Sequence, residues 1–528
     1  MFRRLCLCET LTSEQKREAT FGLADSAALM PKTLLVVFMT KMKSLAKQTA
    51  VYGLSNMLGK FLNWCLVPLY TYVLTNSAEY GVVTNLYAWT ALLLVILTYG
   101  METGFFRFAN KEGHESKKVY STILWCVFGT SALFACAGVL FSDGIAEALG
   151  YSAHPEYVSI MCVIVAMDAF GCIPFAYLRY ENKALRFALL KLLMILVNIG
   201  FNLFFLVACP KIMEVAPETV SWFYRPDYGV GYVFVSNLFS TIFVTLMLTP
   251  QICKAGFCFD KALLRAVLKY SLPLLVLGVA GIMNQTIDKI IFPYLLPDRA
   301  EADAQLGIYG ACFKVAMVMM VFTQAFRYAY EPFVFAQNKG GDKKKEYSDA
   351  MKFFIIFSWL IFLGMVFYID ILKLVIRSDY WEGLRVIPII LVSYLLQGVF
   401  FNLSLWYKLT DKTQYGAYLS LIGLCVILSV NVIFVPKFGY MASAFASMAC
   451  YFVVVVLSYV LGQKYYPVRY DLKSAALYSV VAMAMYMVSQ AYSDCNVWFK
   501  YAVNTILMIL YVVIIVKRDL PLKALLRR

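Results

Sequence analysis

Charged residues are scarce in this chain of 528 residues, since they make up 15% of it against about 25% in an ordinary soluble protein. Only two histidines occur, and the 14 cysteines include no Cys-x-x-Cys pair. The phosphate-binding pattern Gly-x-x-x-x-Gly-Lys-Ser/Thr is also missing. We therefore expect no metal site, no disulfide framework and no nucleotide site of that type.

Apolar residues, by contrast, make up 61% of the chain, and the mean hydropathy is +0.70. A single soluble core cannot bury that excess, because such cores stop growing near about 250–300 residues. A spanning helix takes about 20 residues, so about fourteen helices would use roughly 300 residues, close to the apolar share. The composition predicts an all-α polytopic membrane protein and excludes a soluble enzyme, a disordered chain and a secreted disulfide module.

Apolar runs of spanning length alternate with short polar loops from residue 47 onward. We predict fourteen transmembrane helices, at residues 47–74, 80–106, 119–141, 157–178, 187–208, 228–250, 263–292, 307–330, 352–369, 385–406, 417–435, 441–462, 474–491 and 497–516.

The formal net charge is +15, from 47 Lys and Arg against 32 Asp and Glu. With the N-terminus placed in the cytoplasm, the inside segments carry 36 of these cations, the outside loops carry 8, and three lie within spans. Because cytoplasmic loops are enriched in Lys and Arg, we expect both termini in the cytoplasm. The positive charge then requires no nucleic-acid partner.

Residues 1–41 differ from the rest, because they mix charged residues with one short apolar run, Leu34–Met39. That run is too short to span a membrane, and no small-residue cleavage site follows it, so it is a poor signal peptide. We expect residues 1–41 to be a dispensable leader or an over-long gene start. An amphipathic surface anchor is the alternative interpretation.

A faint internal repeat relates the two halves of the chain. Gly81-Val-Val in span 2 matches Gly307-Ile-Tyr in span 8, and a proline precedes each glycine, by 13 residues at Pro68 and by 14 at Pro293. This pattern predicts two six-helix lobes related by a parallel repeat plus two C-terminal helices; chance similarity between apolar segments is the alternative. The expected divisions are an N-lobe at 42–255, a C-lobe at 256–470, spans 13 and 14 within 471–516, and a basic cytoplasmic tail at 517–528.

Charges inside the spans are the most informative residues of the sequence. Each would cost about 2.5–3.5 kcal/mol if it faced lipid, so six would cost roughly 15–20 kcal/mol, which exceeds the stability of an ordinary protein. They must therefore face the bundle interior, a partner charge or water. They are Lys60, Glu102, Asp168, Asp288, Lys289 and Lys314.

Polar residues follow one helix face in spans 1, 2, 7 and 8, as Asn56, Lys60 and Asn63 do at steps of four and three. A central water-filled cavity with lysines on its wall suits an anionic head group such as a phosphate or pyrophosphate. Hydrogen bonding between packed helices is the alternative. The candidate substrate-binding residues are Asn56, Lys60, Asn63, Asn85, Glu102, Arg107, Lys314, Gln324 and Glu331.

Asp168 lies in the middle of span 4. Two interpretations remain open: a proton or sodium site that couples transport, or a protonated acid packed against a neighbouring helix. Asp288, four residues after Asn284 in span 7, is the rival ion site. The expected coupling ion is therefore Na⁺ or H⁺, and we expect no other cofactor.

Two sets of stretches resemble a known family. Lys43-Ser-Leu-Ala-Lys-Gln-Thr-Ala-Val-Tyr-Gly-Leu-Ser-Asn56, with 66–72 and 79–83, resembles the start of bacterial oligosaccharide flippases. These form the polysaccharide-transporter branch of the multidrug/oligosaccharidyl-lipid/polysaccharide exporter superfamily. The stretches 288–291 and 307–314 resemble the start of their second half, and the resemblance covers about residues 43–516.

The resemblance implies two lobes that meet in a V and transport by alternating access. The implied cargo is an oligosaccharide on undecaprenyl pyrophosphate, carried across the bacterial inner membrane for O-antigen, capsule or exopolysaccharide. Membrane lipids and the polysaccharide assembly machinery are the implied partners. Related lipid II flippases line their cavity from helices 1, 2, 7 and 8 and use basic residues there, which implies such roles for Lys60 and Lys314. Glu102 and Asp288 depart from a purely cationic cavity.

Two other functions remain open. A MATE-like ion-coupled drug or metabolite antiporter would usually have twelve spans rather than the fourteen predicted here. A membrane polysaccharide polymerase or glycosyltransferase would usually carry a large outer domain, whereas the longest predicted outer loop is Cys209–Asp227. We therefore expect a transporter rather than an enzyme.

Overall fold

The computed structural model describes residues 53, 55, 57–111, 115–337, 344–492 and 495–519. Residues 54–528 form one compact unit by their internal contacts. The predicted leader at 1–41 and most of the basic tail lie outside the described residues. Within the described part of the chain, every regular element is a helix.

The long helices are labelled α1 to α14 in chain order, and several are interrupted. They are α1 (57–64 and Leu66–Val73), α2 (Ser77–Thr98 and Met101–Ala109), α3 (Ser116–Leu140), α4 (Pro155–Tyr180), α5 (Ala184–Val215), α6 (Gly231–Met247 and Thr249–Ala255), α7 (Lys261–Ile291), α8 (Arg299–Val315 and Met317–Gln337), α9 (Lys344–Phe367), α10 (Ser378–Leu409), α11 (Gln414–Phe438), α12 (Tyr440–Tyr465), α13 (Leu472–Ala491) and α14 (Val497–Arg518).

Eleven of the described helices are long and apolar enough to cross a membrane, and the number is 13 if each of two bent pairs is one span. The bent pairs are the two parts of α6, at 51°, and the two parts of α8, at 44°. The described part of α1 is too short to be counted. The all-α multi-pass architecture is therefore confirmed, and the fourteenth span stays a prediction.

Local sequence explains two of the interruptions. The bend of α6 falls at Thr249-Pro250, where the proline lacks an N–H and disfavours helical geometry in the residue before it. In α2, Tyr99 and Gly100 both adopt positive φ, 31° and 71°, which ends the first part of the helix before a second part begins at Met101. Both parts of α2 pack against α3, α4 and α7, and the first part also packs closely against α8.

The helices pack in two groups. In the first, α3 packs on α4, α5 on α6, and α2 on α4; in the second, α11 and α10 pack on α12, and α7 on α11. The groups meet where α2 packs against both α7 and α8. This arrangement fits the predicted repeat, whereas the lobe boundaries at 255 and 470 stay predictions.

Glycines bring α2 and α8 into direct backbone contact. A β-carbon at Gly81 would overlap the backbone carbonyl of Asp303, and one at Gly307 would overlap that of Ser77. Each glycine thus faces the carbonyl four residues before the other, and Gly310 faces the side chain of Thr84. Gly81 and Gly307 are separated by 226 residues, and so are Thr84 and Gly310.

Loops at the same end of the molecule reinforce this crossing. The guanidinium of Arg377, between α9 and α10, donates to the carbonyls of Leu74 and Thr75 at 3.1 and 3.0 Å. The guanidinium of Arg299 lies 4.8 Å from the ring centroid of Tyr151, in the loop before α4. Both contacts join residues of the second half to loops of the first.

The C-terminal helices dock on α9. At one end of α14, Lys500 forms an ion pair with Asp370 at 2.7 Å, and at the other Asp519 forms one with Lys352 at 3.0 Å. Between them, the amide of Asn504 donates to the carbonyl of Phe367 at 3.0 Å. Burial alone would raise the pKa of Asp370, but hydrogen bonds from Lys500 and the neighbouring Lys373 hold it below its ordinary value.

Candidate functional site

A cavity of about 500 Å³ lies between the two groups of helices, beneath the crossing of α2 and α8. Its wall is built mainly from α1, α2, α7 and α8, with contributions from α5, α6, α10 and α12. These four helices correspond to spans 1, 2, 7 and 8, whose polar faces predict a cavity. The polar residues of the wall are Lys60, Asn63, Tyr70, Tyr80, Thr84, Tyr87, Asn198, Asn237, Asn284, Gln285, Thr286, Lys289, Lys314, Ser393, Tyr394, Gln397, Ser447 and Tyr451.

Helical periodicity places these side chains on one wall. In α1 the lining residues Lys60, Asn63, Val67 and Tyr70 recur at steps of three and four, the spacing of one helix face. In α8 the lining positions 310, 313, 314, 317 and 320 follow the same spacing across the bend. The bend at 316 therefore leaves the lining face of α8 continuous.

Lys60 and Lys314 are the central cations of the wall. The ammonium of Lys60 donates to the amide oxygen of Gln324 on α8 at 2.5 Å, which links α1 to α8. Lys314 is exposed to the cavity and has no hydrogen-bond or ion-pair partner among the described residues. The two ammonium groups are close enough to repel each other. The site therefore holds positive charge for which the described residues provide no counter-charge.

Lys289 is a third lysine on the wall, and it differs because its charge is balanced. Its ammonium lies 2.9 and 3.1 Å from the carboxylate oxygens of Asp288. The Tyr309 hydroxyl donates to the same carboxylate at 2.8 Å, and the ring of Phe313 lies 3.8 Å from the ammonium. The side chain of Asp288 is buried behind Lys289 and does not line the cavity.

Three candidate substrate-binding residues lie outside the cavity wall. Asn85 is fully buried, where it donates to the carbonyl of Lys289 at 2.8 Å and so joins α2 to α7. Glu102 forms an ion pair with Arg179 of α4, and the guanidinium of Arg107 lies 4.1 Å from the ring centroid of Tyr270. Glu102 and Arg107 follow the break at residues 99–100 and lie in the second part of α2, which packs against α3, α4 and α7.

The remaining candidates divide between described and undescribed positions. Asn63 lines the cavity, and Gln324 reaches the site through its bond to Lys60. Asn56 lies outside the described residues. The structure describes the backbone of Glu331 as helical but not its side chain.

The ion-coupling candidates occupy three different environments. Asp168 is partly buried and interacts electrostatically with Lys191 of α5. Asp288 is balanced by Lys289. Asn284 lines the cavity, where its amide donates to the carbonyl of Ser420 at 3.0 Å while its buried side-chain oxygen has no donor. Their roles in ion coupling stay predictions.

Sequence reasoning did not single out several further cations within its own span boundaries, among them Lys191 in 187–208 and Arg327 in 307–330. Lys191 faces Asp168, and the guanidinium of Arg327 lies 5.2 Å from the ring centroid of Phe401. The sequence alone identifies both residues as cations inside predicted spans. The neutral lining residues of α5, α6, α10 and α12 carried no comparable signal, because amides and hydroxyls also join packed helices.

Two family profiles match the chain. The profile described as "Polysaccharide biosynthesis protein" matches residues 45–329, which is more than half of the chain. The profile described as "MatE" matches residues 299–433. No curated protein matches the sequence.

Solved structures share the fold. The lipid II flippase MurJ in an inward closed conformation superposes with a TM-score of 0.66 at 12% identity, covering 89% of this chain and 99% of that one. An inward-facing multidrug resistance MATE family transporter of the MOP superfamily gives 0.62 at 12% identity, with coverage of 77% and 94%. The MATE multidrug transporter DinF-BH gives 0.55 at 16% identity, with coverage of 80% and 96%.

Proposed function

Because the chain belongs to the polysaccharide biosynthesis protein family, we propose that it carries a lipid-linked oligosaccharide across the bacterial inner membrane by alternating access. The family match also confirms the resemblance of the sequence to polysaccharide transporters. On this proposal the protein moves its cargo and forms no covalent bond. The cargo serves surface polysaccharide synthesis.

One observation carries this proposal: Lys60 and Lys314 face the cavity between the two groups of helices without a counter-charge among the described residues. Lysines that are not paired with acids attract an anion, and phosphate groups are anions that lysine binds as a point charge. The cargo of such a site would place its pyrophosphate between the two ammonium groups. Its polyprenyl tail would stay in the lipid while its polar head crosses.

The same electrostatics weighs against the MATE-like antiporter of organic cations. The described residues that line the cavity include three lysines and no Asp or Glu. A cationic drug would be repelled there and would find no carboxylate to replace its hydration. The shared fold with MATE transporters supports alternating access as the means of transport. The fold does not identify the cargo, which we infer from the chemistry of the site.

The substitution Lys60→Ala tests the proposal in cells that make the surface polysaccharide. We expect outer-leaflet lipid-linked units to fall by about tenfold or more, because a charged hydrogen bond is worth about 1.5–3 kcal/mol. The units should then accumulate on the inner leaflet. Lys60→Arg keeps the charge and should retain part of the transport.

Lys473, exposed at the start of α13 and remote from the cavity wall, provides the matched control. Lys473→Ala should leave the distribution of lipid-linked units unchanged. Normal flipping in Lys60→Ala cells, with unpolymerised units on the outer leaflet, would favour a polymerase instead. Unchanged polysaccharide with altered drug resistance would favour the antiporter.

A further inference from the structure

The positive charges of the cavity wall are limited in number. Lys289 is balanced by Asp288 directly behind it, at 2.9 Å. Lys60 has a neutral partner, the amide of Gln324, and Lys314 has none among the described residues. The described wall therefore presents two lysines whose charge is not compensated by an acid.

Two such lysines match a pyrophosphate diester, in which each of the two phosphate groups carries one negative charge. Once both ammonium groups contact the pyrophosphate, the only other described cation on the lining is Lys289, which Asp288 balances; Arg327, which repels Lys60, lies off this lining. A second anionic group on the cargo, such as a carboxylate on a sugar, would enter the cavity without a partner. Burying an unpaired carboxylate is strongly unfavourable.

The rest of the described wall combines apolar side chains with neutral hydrogen-bonding groups. On the side of the second half, the amide of Gln397 donates to the hydroxyl of Tyr451 at 2.7 Å. On the side of the first half, the amide of Asn237 donates to the hydroxyl of Tyr87 at 3.2 Å. All four residues line the cavity, so both sides present amides and hydroxyls that suit the hydroxyl groups of a sugar.

Asn284 adds an asymmetry to this neutral wall. Its side-chain oxygen is buried and lacks a donor among the described residues, while its amide nitrogen already donates to the carbonyl of Ser420. A buried acceptor without a donor is costly, and a sugar hydroxyl can supply the missing hydrogen. A sugar carboxylate has no hydrogen to donate at neutral pH and would face the Asn284 oxygen acceptor to acceptor.

We propose that this cavity selects an uncharged glycan, so that the sugars adjoining the pyrophosphate carry no carboxylate, phosphate or sulfate group. Asn284 and Gln397 are the specificity-determining residues of this glycan subsite. The inference rests on the proposed function, and it names the chemical class of cargo that the same cavity accepts.

The test measures binding to the purified full-length protein. We compare two short-chain polyprenyl pyrophosphate disaccharides that differ only in the sugar next to the pyrophosphate. This sugar is a hexose in one compound and the corresponding uronic acid in the other. We expect the neutral compound to bind at least about tenfold more tightly, since the carboxylate of the uronic acid would be left without a partner in the cavity. Lys60→Ala should weaken the binding of both compounds.

A gain-of-charge variant makes the test sharper. Gln285 lines the cavity from α7 with an exposed side chain, so Gln285→Lys adds a cation without disturbing a packed core. We expect this variant to reduce the preference for the neutral compound by about fivefold or more. Gln490→Lys, on the exposed surface of α13 and away from the cavity wall, should leave the preference unchanged.

The two proposals fail in different ways. If neither compound binds, the proposed function is overturned, and this inference with it. If both bind equally, or the uronic acid binds more tightly, the pyrophosphate-linked cargo stands and the neutral-glycan inference is overturned. An unchanged preference in Gln285→Lys would likewise contradict the inference.

Discussion

The ammonium of Lys314 has no partner among the described residues, although the residue lies on the wall of the cavity between the two groups of helices. It loses hydration there and is also repelled by Lys289 and Lys60. A lysine in this position destabilises the fold. Its presence is explained by an anionic ligand that supplies the missing charge.

Replacing Lys314 by methionine should therefore stabilise the empty protein while it impairs transport. We expect the free energy of unfolding to rise by about 1 kcal/mol, in the range typical of substitutions that remove functional strain. Thermal unfolding in detergent measures the first effect, and the distribution of lipid-linked units measures the second. Lys473→Met should change neither, and a less stable Lys314→Met protein would contradict the interpretation.

The lysines of the site could be identified from the sequence, whereas the acidic residues near them could not be assigned. A central lysine in an apolar span must find water or an anion, so Lys60 and Lys314 point to a cavity by themselves. Glu102 and Asp288 each form an ion pair, with Arg179 and Lys289. Which cation an acid meets depends on how helices are rotated, and a single sequence does not show that rotation.

At the scale of helices, the crossing of α2 and α8 is the most sharply defined contact between the two halves. A β-carbon at Gly81 or at Gly307 would overlap the other helix, because each glycine faces a backbone carbonyl of that helix. The sequence repeat already paired these two glycines, since the same tripeptide position recurs in spans 2 and 8. What the sequence could not show is that the paired glycines also touch.

Gly307→Ala should separate α2 from α8 at this end of the cavity. We expect a destabilisation of about 1–3 kcal/mol, the usual cost of forcing an extra methyl group into a packed contact. Thermal unfolding measures it. Gly129→Ala in α3 is the matched control, because nothing lies within 4 Å of a β-carbon there; that change should be neutral or stabilising, since alanine is the better helix former.

Gly81→Ala should act in the same way as Gly307→Ala, because the two positions are related by the repeat. Their effects should not add, since either methyl group already separates the helices. An additive double variant, or a stable single variant, would show that the crossing tolerates more space than the structure gives it.

The interruptions of the helices differ in how far the sequence explains them. The bend of α6 follows from Pro250, which any reading of the sequence can locate. The bend of α8 at residue 316 has neither proline nor glycine beside it, so it arises from packing. Span positions are recovered well because apolar length alone determines them, whereas bends inside spans depend on tertiary contacts.

At the scale of the whole molecule, the proposed orientation places both termini in the cytoplasm. Single cysteines test it in a background from which the native cysteines have been replaced. A cysteine at Glu218, exposed between α5 and α6, should react with an impermeant reagent in intact cells. A cysteine at Lys345, exposed at the start of α9, should react only after permeabilisation, and the opposite pattern would reverse the topology.

Helices α13 and α14 make the two halves unequal in size. Ion pairs at both ends of α14 and the Asn504 hydrogen bond between them join this pair to α9. We therefore expect α9, α13 and α14 to move together as one body when the halves separate. The first half has no such addition among the described residues.

The backbone contact between α2 and α8 also bears on how quickly the cavity can open and close. Where two surfaces interlock through side chains, separation requires many rotamers to change and then to return. At Gly81 and Gly307, glycine faces a backbone carbonyl oxygen, so at these two positions the helices can part and meet again without a change of side-chain rotamer. The parted surfaces are peptide groups, which water wets readily. The contact between α2 and α8 is therefore closely packed when the helices meet. Side-chain rearrangement at the two glycines does not slow its opening or closing.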